Sequence, residues 1–373
     1  MQCDSGWAWY TIETSNDWSK NLAHEFVGGG AGEDHKKDYG LNGDGNLLLK
    51  GGHLVVTEKK FIVLRILNLN KEMSTLVIIL CETRAHRLTG ELFMKNVKQS
   101  LNADLALCVR DDEEPNIFYE NAEYIWKFKE PENYLEEFDK IAGHKDWHKA
   151  YEIGNTWLGA GNAKSIPKQD GSAAILYYYR WLLINKLREE NLIQKYDWFI
   201  VTRSDFMWLM PHCPTDLMKP GVFHFPYGQF YDGITDRHHI IPSNYLEECL
   251  ESPLKLILFN TDEVLELIDE CYKGTKYINA EMYLRILYIK KYELKYKFLP
   301  YVMFTVREKD GPTSWSTGNY NEKLGCIIKY DTEFTIANEF LEIAKESPRF
   351  WEISLTKNMT NVQKTLNKEL DIL

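Results

Sequence analysis

The chain has 373 residues, of which 44% are hydrophobic and 13% aromatic, so it can build a sizeable core and is not globally disordered. Its formal net charge of -11 excludes a basic surface that binds nucleic acid nonspecifically, although a local basic pocket for phosphates is compatible with it. Seven cysteines without a C-x-x-C pair argue against a zinc site. Their odd number, together with the lack of a signal peptide, predicts a reducing, cytoplasmic location.

The first 72 residues differ in composition from the rest of the chain. Glycines are concentrated between Gly28 and Gly52, without the spacing of a phosphate-binding loop, and this composition predicts a flexible loop. A β-hairpin is predicted over residues 54–67. Charged residues interrupt the apolar stretch from Leu54 to Leu80, so we predict no membrane span there. Residues 1–72 are therefore predicted to form an N-terminal appendage.

An α/β pattern begins at Met73. Thr75 to Leu80 form a short continuous apolar run, as expected of a central parallel strand. A helix is predicted over 89–99 and a second strand over 103–109, which completes a β-α-β unit. A further short strand is predicted over 122–126. This succession of elements predicts a parallel sheet.

Helices and strands continue to alternate in the second half of the chain. The apolar residues of 172–190 recur at three-to-four spacing and predict a helix that leads into a buried strand over 197–201. Short extended pieces are predicted at 222–226 and 240–242, and further helices at 280–290 and 333–369.

The strand over 197–201 ends abruptly in Arg203-Ser204-Asp205. In an open α/β sheet, ligands bind beyond the carboxyl ends of the strands. A carboxylate there can hold a divalent metal, and a guanidinium can pair with phosphate. Arg203 and Asp205 are thus candidates for a ligand site, and the alternative is a structural ion pair or a solvated turn.

A second cationic cluster follows the first strand of the β-α-β unit. Arg84 and Arg87 come soon after Leu80, so they are expected at the same edge of the sheet as Arg203 and Asp205. Two arginines beside one carboxylate suit a diphosphate with a metal. The alternative is that the arginines only cap the strand or pair with helix carboxylates.

Two downstream segments supply candidates for a general base. Asp236 lies in the polar loop from Tyr231 to His239, and Glu281 lies at the start of a predicted helix. The helix dipole is expected to favour ionised Glu281 and to lower its basicity, which favours Asp236 as the base. The alternatives are an ordinary polar loop and an acid placed only to suit the dipole.

These motifs follow one another in an order that resembles a known group of proteins. The chain resembles a little-studied group of GT-A-type glycosyltransferases found in bacteria and large algal DNA viruses, and the similarity runs from about Met73 to Arg307. It implies an α/β, GT-A-like (Rossmann-like) fold with a mixed, mostly parallel sheet flanked by helices. The implied domain covers 73–330, followed by a C-terminal helical region over 331–373. The matching features are, in order, Cys81-x-x-Arg84, Ala103-Asp104, a helix with Arg180, Tyr196-Asp197-Trp198, Arg203-Ser204-Asp205, Tyr231-x-Gly233-x-x-Asp236-Arg237 and Asn279-x-Glu281.

The resemblance implies transfer of a sugar from a nucleotide-diphosphate donor to a glycan hydroxyl. Asp205 matches the second Asp of the D-x-D motif that holds Mn²⁺ or Mg²⁺, whereas Arg203 stands in place of the first and could partly replace the cation. The alternatives are a nucleotidyl- or phosphotransferase and a non-catalytic glycan-binding protein; no partner nucleic acid is expected. The remaining implied roles are donor binding by Arg84, Arg87, Arg203 and Asp104, base catalysis by Asp236 or Glu281, and a sugar or acceptor pocket formed by Tyr231, Asp232, Arg237 and His238.

Overall fold

The chain forms two compact units, Met1–Lys71 and Glu72–Leu373. The structure is a computed structural model, and it describes residues 7–9, 39–41, 47–50, 73–153, 157–159, 173–274, 277–311 and 316–356.

The described part of the first unit is a three-stranded antiparallel sheet. Its strands are β1 (Trp7–Trp9), β2 (Tyr39–Leu41) and β3 (Leu47–Lys50), and β3 lies between the other two. The prediction of a flexible loop is wrong for β2 and β3, because pairing of the extended backbones outweighs the local glycine content. The hairpin predicted over 54–67 lies outside the described residues.

A seven-stranded sheet is the centre of the second unit, in the order β11-β9-β10-β7-β4-β5-β6. Only β10 is antiparallel to its neighbours, so the predicted mixed, mostly parallel sheet is confirmed. The seven strands are β4 (Thr75–Cys81), β5 (Asp104–Arg110), β6 (Tyr124–Phe128), β7 (Trp198–Thr202), β9 (Phe223–Pro226), β10 (His239–Pro242) and β11 (Tyr296–Leu299).

Helices cover both faces of this sheet. Several of them continue into, or are preceded by, π-helical turns at Met94–Gln99, Glu247–Glu251 and Ile286–Lys291, and two 3₁₀ turns lie at Thr215–Leu217 and Ser243–Tyr245. The α-helices are α1 (His86–Phe93), α2 (Ile117–Glu120), α3 (Tyr134–Ala142), α4 (His148–Tyr151), α5 (Ala173–Glu189), α6 (Ser252–Phe259), α7 (Thr261–Cys271), α8 (Ala280–Arg285), α9 (Asp331–Glu346) and α10 (Phe350–Thr356).

The alternating side chains of the central strands bury two separate cores. Leu76 and Ile78 of β4 pack on the face covered by α5, whereas Val77 and Ile79 pack on the face that includes Phe93 of α1. Because both faces are buried, the interior positions of these strands are apolar and polar residues stand only at their ends. This explains why β4 and β7 read as continuous hydrophobic runs in the sequence.

A second, four-stranded sheet lies beside the carboxyl ends of the central strands. Its order is β13-β14-β12-β8, with β8 (Phe206–Trp208), β12 (Met303–Arg307), β13 (Asn319–Asn321) and β14 (Cys326–Ile328). β8 starts one residue after Asp205 and pairs with β12. The small sheet therefore brings residues from beyond position 300 to the edge of the central sheet.

The predicted C-terminal helix is interrupted. α9 ends at Glu346 and α10 starts at Phe350, with Pro348 between them. Proline disfavours helical geometry in the residue before it and lacks the amide that a continuing helix requires. Within the described ranges, no helix is both long and apolar enough to cross a membrane.

Candidate functional site

The site lies at the topological switch point of the central sheet. From β4 the chain moves outward through β5 and β6, and it then returns to pair β7 with the other edge of β4. Crevices of this kind, beyond the carboxyl ends of the strands, are where open α/β sheets bind ligands. The Oγ of Ser204 donates to the backbone oxygens of Glu82 at 3.0 Å and Arg84 at 2.9 Å. The structure thus joins the two polar strand ends that the sequence predicts to meet.

Asp205 is enclosed by arginines at this junction. Arg203 donates to both of its carboxylate oxygens, from Nε at 2.8 Å and from Nη2 at 2.7 Å, and Arg307 donates to Oδ2 from the other side. Burial opposes ionisation of Asp205, but the guanidinium groups of Arg203, Arg307 and Arg84 outweigh it and hold its pKa far below the usual range. Asp205 is therefore a buried carboxylate that stays charged.

These partners do not suit Asp205 as a ligand of Mn²⁺ or Mg²⁺. Both of its oxygens already accept from guanidinium groups, and both metals require several oxygen ligands. In the part of the chain that the structure describes, no group of three or more His, Cys, Asp or Glu side chains could hold a metal ion. The alternative of a structural ion pair fits Arg203 and Asp205 better.

The structure separates the predicted donor-binding residues. Arg84 is near Asp205 and also pairs with Glu82 at 2.9 Å, with 39% of its side chain exposed. Arg87 is exposed on the first turn of α1 and is not among the strongest electrostatic influences on Asp205. Arg84 and Arg203 therefore share the crevice, whereas among the described residues Arg87 makes no recognised contact with Asp205.

Asp104 lies at the amino ends of the strands, away from the crevice at their carboxyl ends. It is the first residue of β5, so it faces the amino ends of the strands, and it accepts from Lys195 at 3.2 Å and from the hydroxyl of Tyr196. The prediction that Asp104 contacts the donor is not supported, because a strand's first residue is a strand's length away from the crevice. Its role here is to pair with the turn that precedes β7.

The loop that carries the predicted pocket residues is held against the start of α8. Tyr231 and Asp232 adopt left-handed backbone conformations with φ of 44° and 64°, which are uncommon for residues other than glycine. Ile234 N donates to the backbone oxygen of Glu281 at 3.0 Å. A Cβ added to Gly233 would lie 1.9 Å from that same oxygen, so only glycine permits this approach.

This docking places Asp236 next to Glu281, the two residues predicted to supply the base. Burial and repulsion from the Asp236 carboxylate raise the pKa of Glu281 to about 8, although Arg237 opposes the shift. The expectation that the helix dipole lowers the basicity of Glu281 is wrong, because burial and a neighbouring like charge dominate at this position. Asp236 also acts electrostatically on Arg203, so the carboxylate pair adjoins the cationic junction.

Arg180 fixes the backbone of Asp236 through a hydrogen bond. It is fully buried on α5, and its Nη2 donates to the backbone oxygen of Asp236 at 3.0 Å and to Nδ1 of His239 at 3.3 Å. Nη1 donates to the hydroxyl of Tyr288 at 2.8 Å. Arg180 has no carboxylate within ion-pair distance among the described residues, so its contacts fix backbone and ring positions rather than neutralise a charge.

Arg237 is buried under two tyrosines and pairs with Glu333 of α9. Its guanidinium carbon lies 4.4 Å from the ring centroid of Tyr330 and 5.8 Å from that of Tyr231. Glu333 also accepts from the backbone amide of Thr305 at 2.7 Å. Arg237 therefore links the loop to the C-terminal region, beneath the exposed ring of Tyr231.

His238 does not shape a substrate pocket. It is buried, and its ring nitrogens contact the hydroxyl of Thr202 at 2.8 Å and Nε2 of His212 at 3.2 Å. Burial, and secondarily His212, lowers its pKa well below the usual value. The prediction fails because His238 begins the approach to β10 on the face opposite to His239, which contacts Arg180. Asp232 is exposed, and its backbone oxygen accepts from Tyr272 at 3.3 Å.

A cleft of about 430 Å³ opens beside this loop. Its wall includes the cationic side chain of Lys329 and the aromatic side chain of Tyr330. The sequence did not identify these two residues as site residues, nor did it identify Arg307 and Glu333. Arg307 carries the same signal as Arg203, an apolar run that ends in a cation, but Lys329 and Glu333 lack such a signal. The cleft is lined by Gln229, Tyr231, Ser316, Thr317, Gly318, Asn319, Lys329, Tyr330, Asp331 and Thr332.

Comparisons with known proteins find matches among solved structures only. No protein-family model matches the chain, and no curated protein matches it. Among solved structures, the chain is similar to mouse xyloside xylosyltransferase 1 in its apo form. The identity is 10% and the TM-score 0.34, over 61% of this chain and 84% of that chain. The sheet topology and the site geometry, rather than this distant likeness, support the proposal that follows.

Proposed function

We propose that the protein is a GT-A-type glycosyltransferase that moves a sugar from a nucleotide-diphosphate donor to a hydroxyl of a glycan. The observation that carries this proposal is the position of a carboxylate pair, Asp236 and Glu281, beside a cationic junction at the switch point of the sheet. Transfer from such a donor needs cations for the departing diphosphate and a proton acceptor for the hydroxyl. The site offers both within one crevice.

Each group has a distinct role in this proposal. Arg84 and Arg203 lie where the negative charge of the leaving diphosphate develops, and guanidinium groups bind phosphate oxygens through paired N–H donors. Asp236 accepts the proton of the acceptor hydroxyl as the sugar–oxygen bond forms and the bond to the diphosphate breaks. Glu281 has a raised pKa of about 8 and is mostly protonated at neutral pH, so Asp236 is the residue to which we assign the proton transfer. The rings of Tyr231 and Tyr330, which line the cleft, provide flat surfaces for a sugar.

A donor screen tests this function. Purified protein is mixed with UDP-, GDP- or dTDP-sugars, with and without Mn²⁺, and release of nucleoside diphosphate is measured alone and with glycan acceptors. We expect release with at least one donor, and Asp236→Asn should lower transfer by about 10²–10⁴-fold, as removal of a general base does. Donor affinity should change little, because a base acts in the transition state.

The control for this variant is Asp216→Asn, which neutralises an exposed carboxylate outside the site. It should transfer at the wild-type rate. Absence of diphosphate release with every donor, or equal rates for Asp236→Asn and the control, would contradict the proposed function.

A further inference from the structure

Arg307 has hydrogen-bonding capacity that the described structure does not use. Only 3% of its side chain is exposed, and its Nη1 donates both to Asp205 and to the backbone oxygen of Val306 at 2.7 Å. Its Nε is buried and has no hydrogen-bond partner among the described residues. Buried donors are nearly always paired, so this guanidinium N–H keeps the capacity to donate to a further acceptor.

Lys329 presents a second cation without a counterion. The residue is 5% exposed, directly follows β14 and lines the 430 Å³ cleft. In the described ranges no carboxylate lies within ion-pair distance of its ammonium group. The Nζ atom lies 5.2 Å from the ring centroid of Tyr330. Buried lysines are rare unless they are paired, because the charge is costly to remove from water.

Cationic side chains near Lys329 add to the positive potential in the cleft. Burial lowers the pKa of Lys329 to about 7, and after burial the largest cause is Arg307. Burial and the adjacent cations Arg203 and Arg84 likewise lower the pKa of Arg307 itself. Asp205 is too strongly engaged to neutralise all of these groups. An anion in the cleft would therefore relieve a repulsion that the protein leaves uncompensated.

The other groups of the cleft suit phosphate oxygens. Thr317 and Thr332 supply hydroxyls, and the amides of Asn319 and Gln229 each keep a second N–H after donating to Asp331 and Thr332. These neutral donors can bind phosphate without adding charge. Metal ligands are scarce here, since Asp331 is the only carboxylate among the cleft-lining residues described.

We propose that Lys329, with Arg307 behind it, forms a phosphate-binding subsite that takes a diphosphate directly, without a divalent cation between protein and ligand. That this diphosphate belongs to a sugar-nucleotide donor rests on the proposed function; the subsite itself does not. Its chemistry differs from a D-x-D site, because two cationic side chains take the place of a metal held by two carboxylates.

Calorimetric titration with inorganic pyrophosphate in the presence of EDTA tests the subsite. We expect the wild type to bind, and Lys329→Met to weaken binding by about tenfold or more, the effect of losing a charge-assisted contact. The matched control is Lys323→Met, which removes an exposed lysine from the turn between β13 and β14 and should bind like the wild type. Thermal unfolding of each variant separates loss of binding from loss of fold.

A pH series provides a readout that a purely structural lysine would not change. Pyrophosphate should stabilise charged Lys329, so wild-type binding should take up a proton above about pH 7 and weaken from about pH 7 to about pH 8.5. Lys329→Arg should still bind, within about threefold at pH 7, but should lose this pH dependence because arginine stays charged. The charged groups that act on Lys329 are Arg307, Arg203, Arg237 and Asp205, and Asp331 shares its cleft.

The outcomes separate the subsite from the enzymatic function. Pyrophosphate binding that requires Mn²⁺, or equal affinities for Lys329→Met and Lys323→Met, overturns the subsite even if the protein transfers sugar. Binding in EDTA with the expected loss in Lys329→Met supports the subsite even if no nucleotide sugar is consumed, in which case the proposed function fails alone.

Discussion

Two buried acidic centres in this protein respond to their surroundings in opposite ways. Around Asp205, guanidinium groups outweigh burial and keep the carboxylate ionised. Around Glu281, burial acts together with the nearby Asp236 carboxylate and raises the pKa to about 8. Burial alone favours the neutral form in both places, so the sign of the neighbouring charge decides the outcome.

The difference indicates a division of labour. A carboxylate locked between arginines is a poor proton carrier and a poor metal ligand, but it organises cations at the junction of β4 and β7. Glu281, whose pKa of about 8 lies close to neutral pH, changes its protonation state in a range that suits acid–base chemistry. The residue that most resembles a metal-binding motif in the sequence thus forms a buried ion pair, whereas Asp236 lies in a loop and Glu281 in the first turn of α8.

The largest expected effect is on stability and comes from Asp205→Asn. The change leaves Arg203 and Arg307 facing a neutral amide, and breaking a buried ion pair costs about 3–5 kcal/mol of unfolding free energy. Urea unfolding followed by circular dichroism measures the loss. The exposed Asp216→Asn should change stability by less than about 0.5 kcal/mol. If Asp205→Asn is as stable as the wild type and loses only Mn²⁺-dependent turnover, Asp205 is a metal ligand instead.

Gly233→Ala tests whether loop docking assembles the carboxylate pair. The added methyl would overlap the backbone of Glu281, so the loop must move, at about 1–3 kcal/mol as for overpacking. Donor-dependent transfer should fall with it, because Asp236 moves with the loop. Gly221→Ala is the comparison: its φ of 69° makes alanine strained, but nothing lies within 4 Å, so transfer should persist. Equal activities of the two variants would refute the role of docking.

Glu281→Gln should flatten the pH dependence of stability. The folded pKa of about 8 lies above the ordinary value of 4.5, so Glu281 stabilises the fold fully below about pH 4.5. That contribution is lost as the pH rises from about 4.5 towards 8, with a slope of at most about 1.4 kcal/mol per pH unit. Glutamine imitates the protonated acid and should remove the slope in urea unfolding across this range. Exposed Glu266→Gln should keep the wild-type slope, and an unchanged slope in both variants would contradict the assigned shift.

The smallest expected effect is a change in the pKa of Glu281, and it measures the interaction between Glu281 and Asp236. Asp236→Asn removes the negative charge beside Glu281 but leaves its burial, so the pKa of Glu281 should fall by up to about one unit and stay above its ordinary value. Titration of the Glu281 carboxyl carbon by NMR measures this shift. A pKa that does not move would mean that burial alone raises it.

The sequence correctly predicts that the two polar strand ends meet, because one rule governs their position. The apolar runs of β4 and β7 end in charged residues, and parallel strands bring their carboxyl ends to one edge. Arg84, Arg203 and Asp205 could be placed together for that reason. The loop with Asp236 and the start of α8 were also identifiable as polar interruptions of apolar segments.

The remaining site residues depend on contacts that sequence order conceals. Asp104, like Arg203, lies at the end of a strand, but at the amino end. A position at a strand end therefore does not by itself place a residue in the crevice. His238 belongs to a polar run yet points into the core. Glu333 lies in an amphipathic helix whose pattern gives no sign that one acid is buried against Arg237. The pairing of β12 with β8, rather than any local motif, brings Arg307 to Asp205.

The position of Glu333 has a consequence for how distant parts of the chain depend on one another. Glu333 accepts from Arg237, Tyr301 and the amide of Thr305, and Arg237 belongs to a loop 96 residues earlier in the chain. A buried guanidinium is costly without its counterion. Packing of α9 therefore supplies the counterion of the earlier loop, and a chain that ends before α9 should unfold more readily than the full chain.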